Sequence, residues 1–123
     1  MKNNKHYPLI KAIHFAFSGI VKVIKSERNI KIEIGIGVIT IILGMIVGLT
    51  KVEWLAIILI IFVILAAETF NSAVESICNL LVDKLHLGYD ETRTIRNISA
   101  AAPLILSIGS IIIGLIIFLP YFL

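Results

Sequence analysis

Four polar side chains recur within an otherwise apolar stretch of the sequence. They are separated by three, four and four residues, and they are Glu68, Asn71, Glu75 and Asn79. At 100° per residue of an α-helix, these spacings place all four on one face, a stripe roughly 80° wide. Carboxylate and carboxamide oxygens are the ligands that Mg²⁺ takes in proteins. The stripe therefore predicts a site for a hard cation or for groups that bind one.

Two other polar groups flank the apolar runs on either side of the stripe. Glu27 precedes the first run, and Arg96 with Asn97 opens the last one. Phosphoryl transfer needs metal-bridged phosphates, a cation and a base that orients the attacking hydroxyl, so this set of residues suits it. Zinc chemistry is excluded because Cys78 is the single cysteine and the three histidines stand apart. The alternative is that the stripe only hydrogen-bonds neighbouring helices together.

The composition places these residues in a membrane. The chain has 123 residues, of which 59% are hydrophobic and 15% charged, and its mean hydropathy is +1.03. Soluble domains are nearer half apolar and a quarter charged, so lipid must cover the excess apolar surface. A soluble globular domain is excluded.

The hydropathy pattern predicts an all-α membrane protein with one domain over residues 1–123. We expect an N-terminal surface helix at about residues 8–28 and a polar loop at about 83–93. The three expected transmembrane helices cover about residues 30–50, 54–82 and 95–120. Residues 30–38 (IKIEIGIGV) alternate with period two like a strand, but an open strand cannot lie in hydrocarbon, which favours a helix.

The expected surface helix is amphipathic. Lys11 and Ser18 belong to a polar face that recurs every three or four residues opposite a face of isoleucine and phenylalanine. Such a helix can lie on the membrane with its cations toward anionic headgroups, or pack against the spans, or do both. We expect Lys11 and Ser18 to contact lipid. Glu33, near the start of the first span, either pairs with a cation or helps to bind lipid.

The charge distribution predicts the orientation. Seven of the eleven basic residues lie at or before Lys31, which places the N-terminus in the cytoplasm and the C-terminus outside. Trp54 and Tyr121 then lie at the outer interface. Glu68 is 14 residues beyond Trp54, about 21 Å along the helix. Glu68 should thus lie just inside the cytoplasmic boundary of the hydrocarbon, with Glu75 at the water.

Two segments resemble the prokaryotic integral-membrane diacylglycerol kinase and undecaprenol kinase family. Residues 68–75 (ETFNSAVE) are similar to that family's E-x-x-N-[ST]-A-[IV]-E motif on the second transmembrane helix. Residues 95–102 (IRNISAAA) resemble its A-K-D-x-[SA]-A-[AG]-A motif at the start of the third. Weaker similarities at residues 15–20 and 27–29 extend the resemblance over nearly the whole chain.

The resemblance implies an ATP- and Mg²⁺-dependent lipid kinase of the bacterial cytoplasmic (inner) membrane. It implies a homotrimer with active sites shared between neighbours, and either diacylglycerol or undecaprenol as the phosphoryl acceptor. By the same resemblance, Glu68 acts as general base, and Glu27 and Glu75 hold the metal of Mg·ATP. The positions implied on the nucleotide side are Asn71, Asn79, Arg96, Asn97 and the turn residues Gly88, Tyr89 and Asp90.

Three positions depart from the family pattern. The family generally has aspartate at the position of Asn79 and lysine-aspartate at those of Arg96 and Asn97. Relative to the family pattern, two carboxylates are replaced by neutral carboxamides, and a lysine ammonium is replaced by a planar arginine guanidinium. The alternative function is therefore a pseudokinase that binds lipid or a partner protein. Restoring both aspartates is expected to strengthen Mg·ATP binding.

Small residues recur at a spacing of four on two of the spans. The pairs are Gly44 with Gly48 and Ser110 with Gly114. This pattern predicts close helix–helix packing at both places. Pro103 is expected to kink or to start the third span.

Overall fold

The structure is a computed structural model that describes residues 8–123. Four α-helices follow one another along this part of the chain: α1 (Leu9–Ser26), α2 (Arg28–Val47), α3 (Lys51–Leu85) and α4 (Tyr89–Phe122). Residues 8–123 contain no strand, so the prediction of an all-helical chain is confirmed over that range. Residues 30–38 are helical despite their period-two pattern.

Three helices, α2, α3 and α4, are long and apolar enough to cross a membrane, which confirms the three expected spans. Helix α2 has 20 residues, or about 30 Å, which matches the hydrocarbon thickness of a bilayer. Helix α3 has 35 residues and α4 has 34. At about 50 Å each, both are longer than the hydrocarbon requires and can carry polar residues beyond it.

The predicted polar loop at about residues 83–93 is wrong. Helix α3 continues to Leu85 and α4 already begins at Tyr89, so the spans exceed the expected ranges of 54–82 and 95–120. The N–H of Gly88 donates to the Glu91 carboxylate, and Asp90 pairs with Arg93 one turn further on. These charged residues form the first turn of α4, which begins before the apolar run. Their charge favoured a loop in the sequence analysis, but they are helical.

Two helix ends use the left-handed backbone region. Helix α2 ends at Gly48 with φ of 75°, and α3 ends at His86 with φ of 59°. Glycine adopts this conformation without steric penalty, whereas histidine does not. Thr50 begins α3 with a reciprocal capping box, because its hydroxyl accepts from the Glu53 N–H and the Glu53 carboxylate accepts from the Thr50 N–H.

Helices α3 and α4 form the main packing pair, and they run antiparallel. Tyr121, at the end of α4, contacts Glu53 at the start of α3, and Arg96 near the start of α4 contacts Asn79 in the last third of α3. The apolar core of the bundle consists of Leu49, Ile57 and Ile117, with Trp54 and Phe118 among the partly buried side chains packed on it. Helix α1 contacts α2 and α3 but contains no buried residue.

Close packing explains one of the small residues predicted to mediate it. A Cβ on Gly44 would lie 2.8 Å from Leu49 Cδ1 and 2.9 Å from Trp54 Cη2, so any larger residue would force these side chains to shift. The interpretation is wrong for Gly48, which caps α2 and has open space around it. A Cβ on Gly114 would also meet nothing within 4 Å. Pro103 is buried inside a continuous α4 and does not start it.

Candidate functional site

The site begins with two buried polar side chains on α3. Glu68 and Asn71 are each only 7% exposed, and the Asn71 carboxamide interacts with the Glu68 carboxylate. The chain has no glycine or proline between Lys51 and Leu85, which is why one unbroken helix carries both. Asn71 Oδ1 has no hydrogen-bond partner within residues 8–123. Buried acceptors are nearly always satisfied, so this oxygen is available to a ligand.

Three other carboxylates surround Glu68. Glu33, Glu27 and Glu75 all lie close enough to interact with it electrostatically, and all three are half-buried. They come from α2, from the residue between α1 and α2, and from the next turn of α3. Carboxylates in partly dry surroundings repel one another, so this region attracts a cation or a proton.

Glu27 lies where α1 meets α2. It is the single residue between the two helices and has an extended backbone. Its side chain lines a hollow of about 220 Å³ between α1 and α3. The hollow is rich in hydroxyl groups, and its polar lining consists of Lys22, Ser26, Glu27, Thr69, Ser72 and Ser76.

These residues fit a magnesium ion that arrives on a nucleotide. All the candidate ligands are oxygens, including the unpartnered Oδ1 of Asn71, and this suits a hard cation. No three histidine, cysteine, aspartate or glutamate residues among those described are grouped tightly enough to hold a metal by themselves. Magnesium usually binds one or two carboxylates together with substrate phosphates, which is what such a partial ligand set allows.

A second part of the site joins α3 to α4 around Arg96. The Nη1 of Arg96 donates to Asn79 Oδ1 at 3.0 Å, and its Nε donates to Thr92 Oγ1 at 3.0 Å. The guanidinium carbon lies 4.6 Å from the centroid of the Tyr89 ring, a cation–π contact. Asn79, Tyr89 and Arg96, all predicted for the nucleotide side, are thus brought together.

Other predicted site residues lie outside these two groups. Asn97 is exposed and its side chain makes no hydrogen bond within residues 8–123, and Asp90 pairs with Arg93. Gly88 caps α4 through Glu91. Lys11 and Ser18 are exposed on α1. Glu33 also lines a largely apolar cavity of about 240 Å³ between α2, α3 and α4.

Sequence reasoning missed Thr92. This residue is 1% exposed and contacts the Arg96 side chain directly. The signal was the spacing of four residues between Thr92 and Arg96, which puts both on one helix face. The sequence pattern predicts a loop at residues 83–93, and in a loop a spacing of four residues does not place two side chains on one face.

Comparison with known proteins decides the family. The family model for prokaryotic diacylglycerol kinase matches residues 14–118 of this chain. The chain belongs to the prokaryotic diacylglycerol kinase family. It is also 32% identical over 110 residues to the undecaprenol kinase of Bacillus subtilis (strain 168), an alignment that covers 89% of this chain and 87% of that protein. No solved structure matches the chain.

Membership of the diacylglycerol kinase family confirms the resemblance carried by residues 68–75 and 95–102. The protein is a lipid kinase, and its three apolar helices make it a membrane protein. Both motifs lie where the structure gathers polar groups, the first around Glu68 and the second around Arg96.

Proposed function

We propose that this protein transfers the γ-phosphoryl group of Mg·ATP to the hydroxyl of a membrane lipid alcohol, and that the preferred alcohol is undecaprenol. The observation that carries the proposal is the buried pair of Glu68 and Asn71 on a membrane-spanning helix. Burying a carboxylate inside a membrane protein is costly, so such a residue is a functional candidate by default. The 32% identity to an undecaprenol kinase supports the acceptor.

In the proposed reaction Glu68 is the general base. It accepts the proton of the lipid hydroxyl while the hydroxyl oxygen bonds to the γ-phosphorus. The bond from the γ-phosphorus to the β,γ-bridging oxygen breaks, and ADP leaves. The Asn71 carboxamide interacts with Glu68 and holds it in position.

Polar residues of both parts of the site take the remaining roles in this proposal. Glu27 and Glu75 would hold the magnesium ion of Mg·ATP, which when bound neutralises the charge of the phosphates. Arg96 would donate to phosphate oxygens, because a planar guanidinium matches their geometry. Asn79 orients Arg96 through their hydrogen bond.

We also propose the membrane arrangement. The protein would be a homotrimer in the bacterial cytoplasmic (inner) membrane, with the N-terminus in the cytoplasm and the C-terminus outside. The excess of basic residues at or before Lys31 supports this orientation. Helix α1 would lie on the cytoplasmic surface, where Lys11 and Ser18, both exposed, can contact headgroups.

The test is phosphoryl transfer by the purified protein in mixed micelles that contain undecaprenol, diacylglycerol or neither. We expect phosphorylated undecaprenol to form with Mg·ATP, and Glu68→Gln to slow its formation by about 10²- to 10⁴-fold, because that is what a general base contributes. ATP binding by this variant should be retained, since glutamine preserves the size of the side chain.

Three outcomes would contradict parts of this proposal. Faster transfer to diacylglycerol would reassign the acceptor. A Glu68→Gln variant with most of its kcat would remove Glu68 as the base. No product from either lipid at saturating Mg·ATP would favour the alternative function, a pseudokinase that binds lipid or a partner protein.

A further inference from the structure

The Arg96 side chain is held from three sides. Its Nε donates to Thr92 Oγ1 and its Nη1 to Asn79 Oδ1, both at 3.0 Å, and the Tyr89 ring packs on its guanidinium at 4.6 Å. Thr92 is itself fixed, because its hydroxyl donates to the Tyr89 carbonyl at 3.0 Å. A hydroxyl has one proton to donate, so Thr92 must accept from Arg96 in this arrangement.

The guanidinium retains both its charge and most of its donors. A guanidinium carries five N–H groups, and the contacts to Thr92 and Asn79 use two of them. Within residues 8–123, Arg93 forms an ion pair with Asp90, whereas Arg96 forms none. Asn79, Thr92 and Tyr89 are all uncharged partners. Arg96 is therefore oriented by its neighbours, while no carboxylate among residues 8–123 forms an ion pair with it.

We infer that Thr92 and Tyr89 are positioning residues that pre-orient Arg96 for an anionic oxygen of the nucleotide phosphates. This inference rests on the proposed function, in which Arg96 contacts the nucleotide. A long cationic side chain loses rotamer freedom when it binds, and fixing it beforehand removes that entropic cost from the binding step. Tyr89 accordingly supports the arginine, and one face of its ring is covered by the guanidinium.

The same geometry accounts for two of the three departures from the family pattern, Asn79 and Arg96, as one unit. Thr92 reaches the Nε of an arginine, an atom that lysine lacks. Asn79 accepts from Arg96 without charge, whereas an aspartate would pair with it. Arginine and asparagine thus suit one another at these positions, as expected of a working site.

The experiment measures ATP binding by calorimetry in micelles, together with KM and kcat for Mg·ATP, on matched threonine variants of the full chain. Thr92→Val keeps the size of the side chain and removes its hydroxyl, and Thr92→Ser restores the hydroxyl. Thr94→Val is the control, because Thr94 is exposed on the same helix and its hydroxyl makes no hydrogen bond within residues 8–123. Each change is repeated with Arg96→Gln to form a double-mutant cycle.

We expect Thr92→Val to weaken ATP binding and to raise KM by roughly tenfold, the size expected for a lost hydrogen bond to a charged group. We expect kcat to change less than KM, Thr92→Ser to recover most of the loss, and Thr94→Val to behave like wild type. In the Arg96→Gln background, Thr92→Val should cost nothing further. Tyr89→Leu should raise KM in the same direction, which provides a second variant if Thr92→Val fails to fold.

Additive losses in the cycle would overturn the inference, because Thr92 would then act independently of Arg96. An active wild type whose KM is unchanged by both Thr92→Val and Tyr89→Leu would also overturn it, and the proposed function would stand. A wild type that neither binds ATP nor phosphorylates lipid would overturn the proposed function and this inference together.

Discussion

The two ends of the α3–α4 pair are joined by polar contacts that differ in what they leave free. At one end, Tyr121 Oη donates to Glu53 Oε1 at 2.5 Å, and Glu53 also closes the capping box with Thr50. At the other end, Arg96 is held by neutral partners and keeps spare donors. Polar groups at the Tyr121 end satisfy one another, whereas those at the Arg96 end remain available to a ligand.

Packing follows the same division. The Tyr121 end contains the apolar cluster of Leu49, Ile57 and Ile117, and Gly44 lets α2 approach it closely. Toward the Arg96 end, the buried side chains include Glu68, Asn71 and Thr92, and Asn71 has an unpartnered oxygen. Substitutions at the Tyr121 end should therefore change stability, and those at the Arg96 end should change binding or turnover.

Among the changes that test this comparison of the two ends, the largest effect is expected from Glu75→Ala. Loss of a proposed metal ligand should raise the Mg²⁺ concentration for half-maximal activity at least about tenfold, since even residues behind the ligands contribute that much to metal affinity. Titrating activity against Mg²⁺ measures it. Asp83→Ala is the control, because Asp83 is an exposed carboxylate further along α3. An unchanged midpoint for Glu75→Ala would show that this carboxylate does not hold the metal.

Gly44→Ala should destabilise the bundle by about 1–3 kcal/mol, because the added methyl group would overlap Leu49 and Trp54. Thermal unfolding in detergent measures the loss, and KM for Mg·ATP should not move. Gly35→Ala on the same helix is the matched control, since a Cβ there meets nothing within 4 Å, and alanine favours helix. Equal effects of the two changes would mean that Gly44 is not a packing contact.

Asn79→Asp should weaken ATP binding by about two- to fivefold at low ionic strength, the range expected for an exposed ion pair. This direction is opposite to the one expected from counting charges in the sequence. The reason is the hydrogen bond from Arg96 to Asn79. An aspartate at position 79 would form an ion pair with Arg96 and compensate the positive charge that attracts the phosphates. Binding measured at low and high salt tests this. Tighter ATP binding by Asn79→Asp would contradict this prediction and would indicate that the site lacks a carboxylate it needs.

The effect expected at the connection between α3 and α4 is on stability and not on binding. His86→Gly should stabilise the protein by about 1 kcal/mol, because glycine relieves the cost of the left-handed backbone at this position. His86→Ala keeps a Cβ and should gain much less. Unfolding midpoints of the two variants would differ accordingly, and identical midpoints would show that the backbone conformation carries no penalty.

Residues with a strong periodic signal were predictable from the sequence. The three spans and the common face of Glu68, Asn71 and Glu75 follow from hydropathy and helical spacing. Contacts between distant segments were not, because spacing along one helix says nothing about which helix lies opposite it. Thus Arg96 and Asn79 were each named as nucleotide residues, but their hydrogen bond was not foreseen.

The sequence pattern also did not predict the polar extensions of the helices or their capping residues. The charged residues after Asp83 looked like a loop because hydropathy detects only the part of a helix that lies in lipid. Helix α4 extends back to Tyr89 because the Glu91 carboxylate accepts a hydrogen bond from the Gly88 N–H and caps the helix. A single capping residue is a weaker indication of a helix in the sequence than a long apolar run. Gly48 was likewise read as a packing residue, although it ends α2.

The connections between the helices are short, and this bears on how the chain assembles during synthesis. One residue separates α1 from α2, and three residues separate each later pair. Each helix therefore packs against the one that precedes it, and no long loop must close before a contact forms. Topologies rich in such local contacts fold quickly. Helices α3 and α4 can pair as a hairpin as soon as α4 enters the membrane, so the contacts that hold Arg96 form only after α1, α2 and α3 are in place.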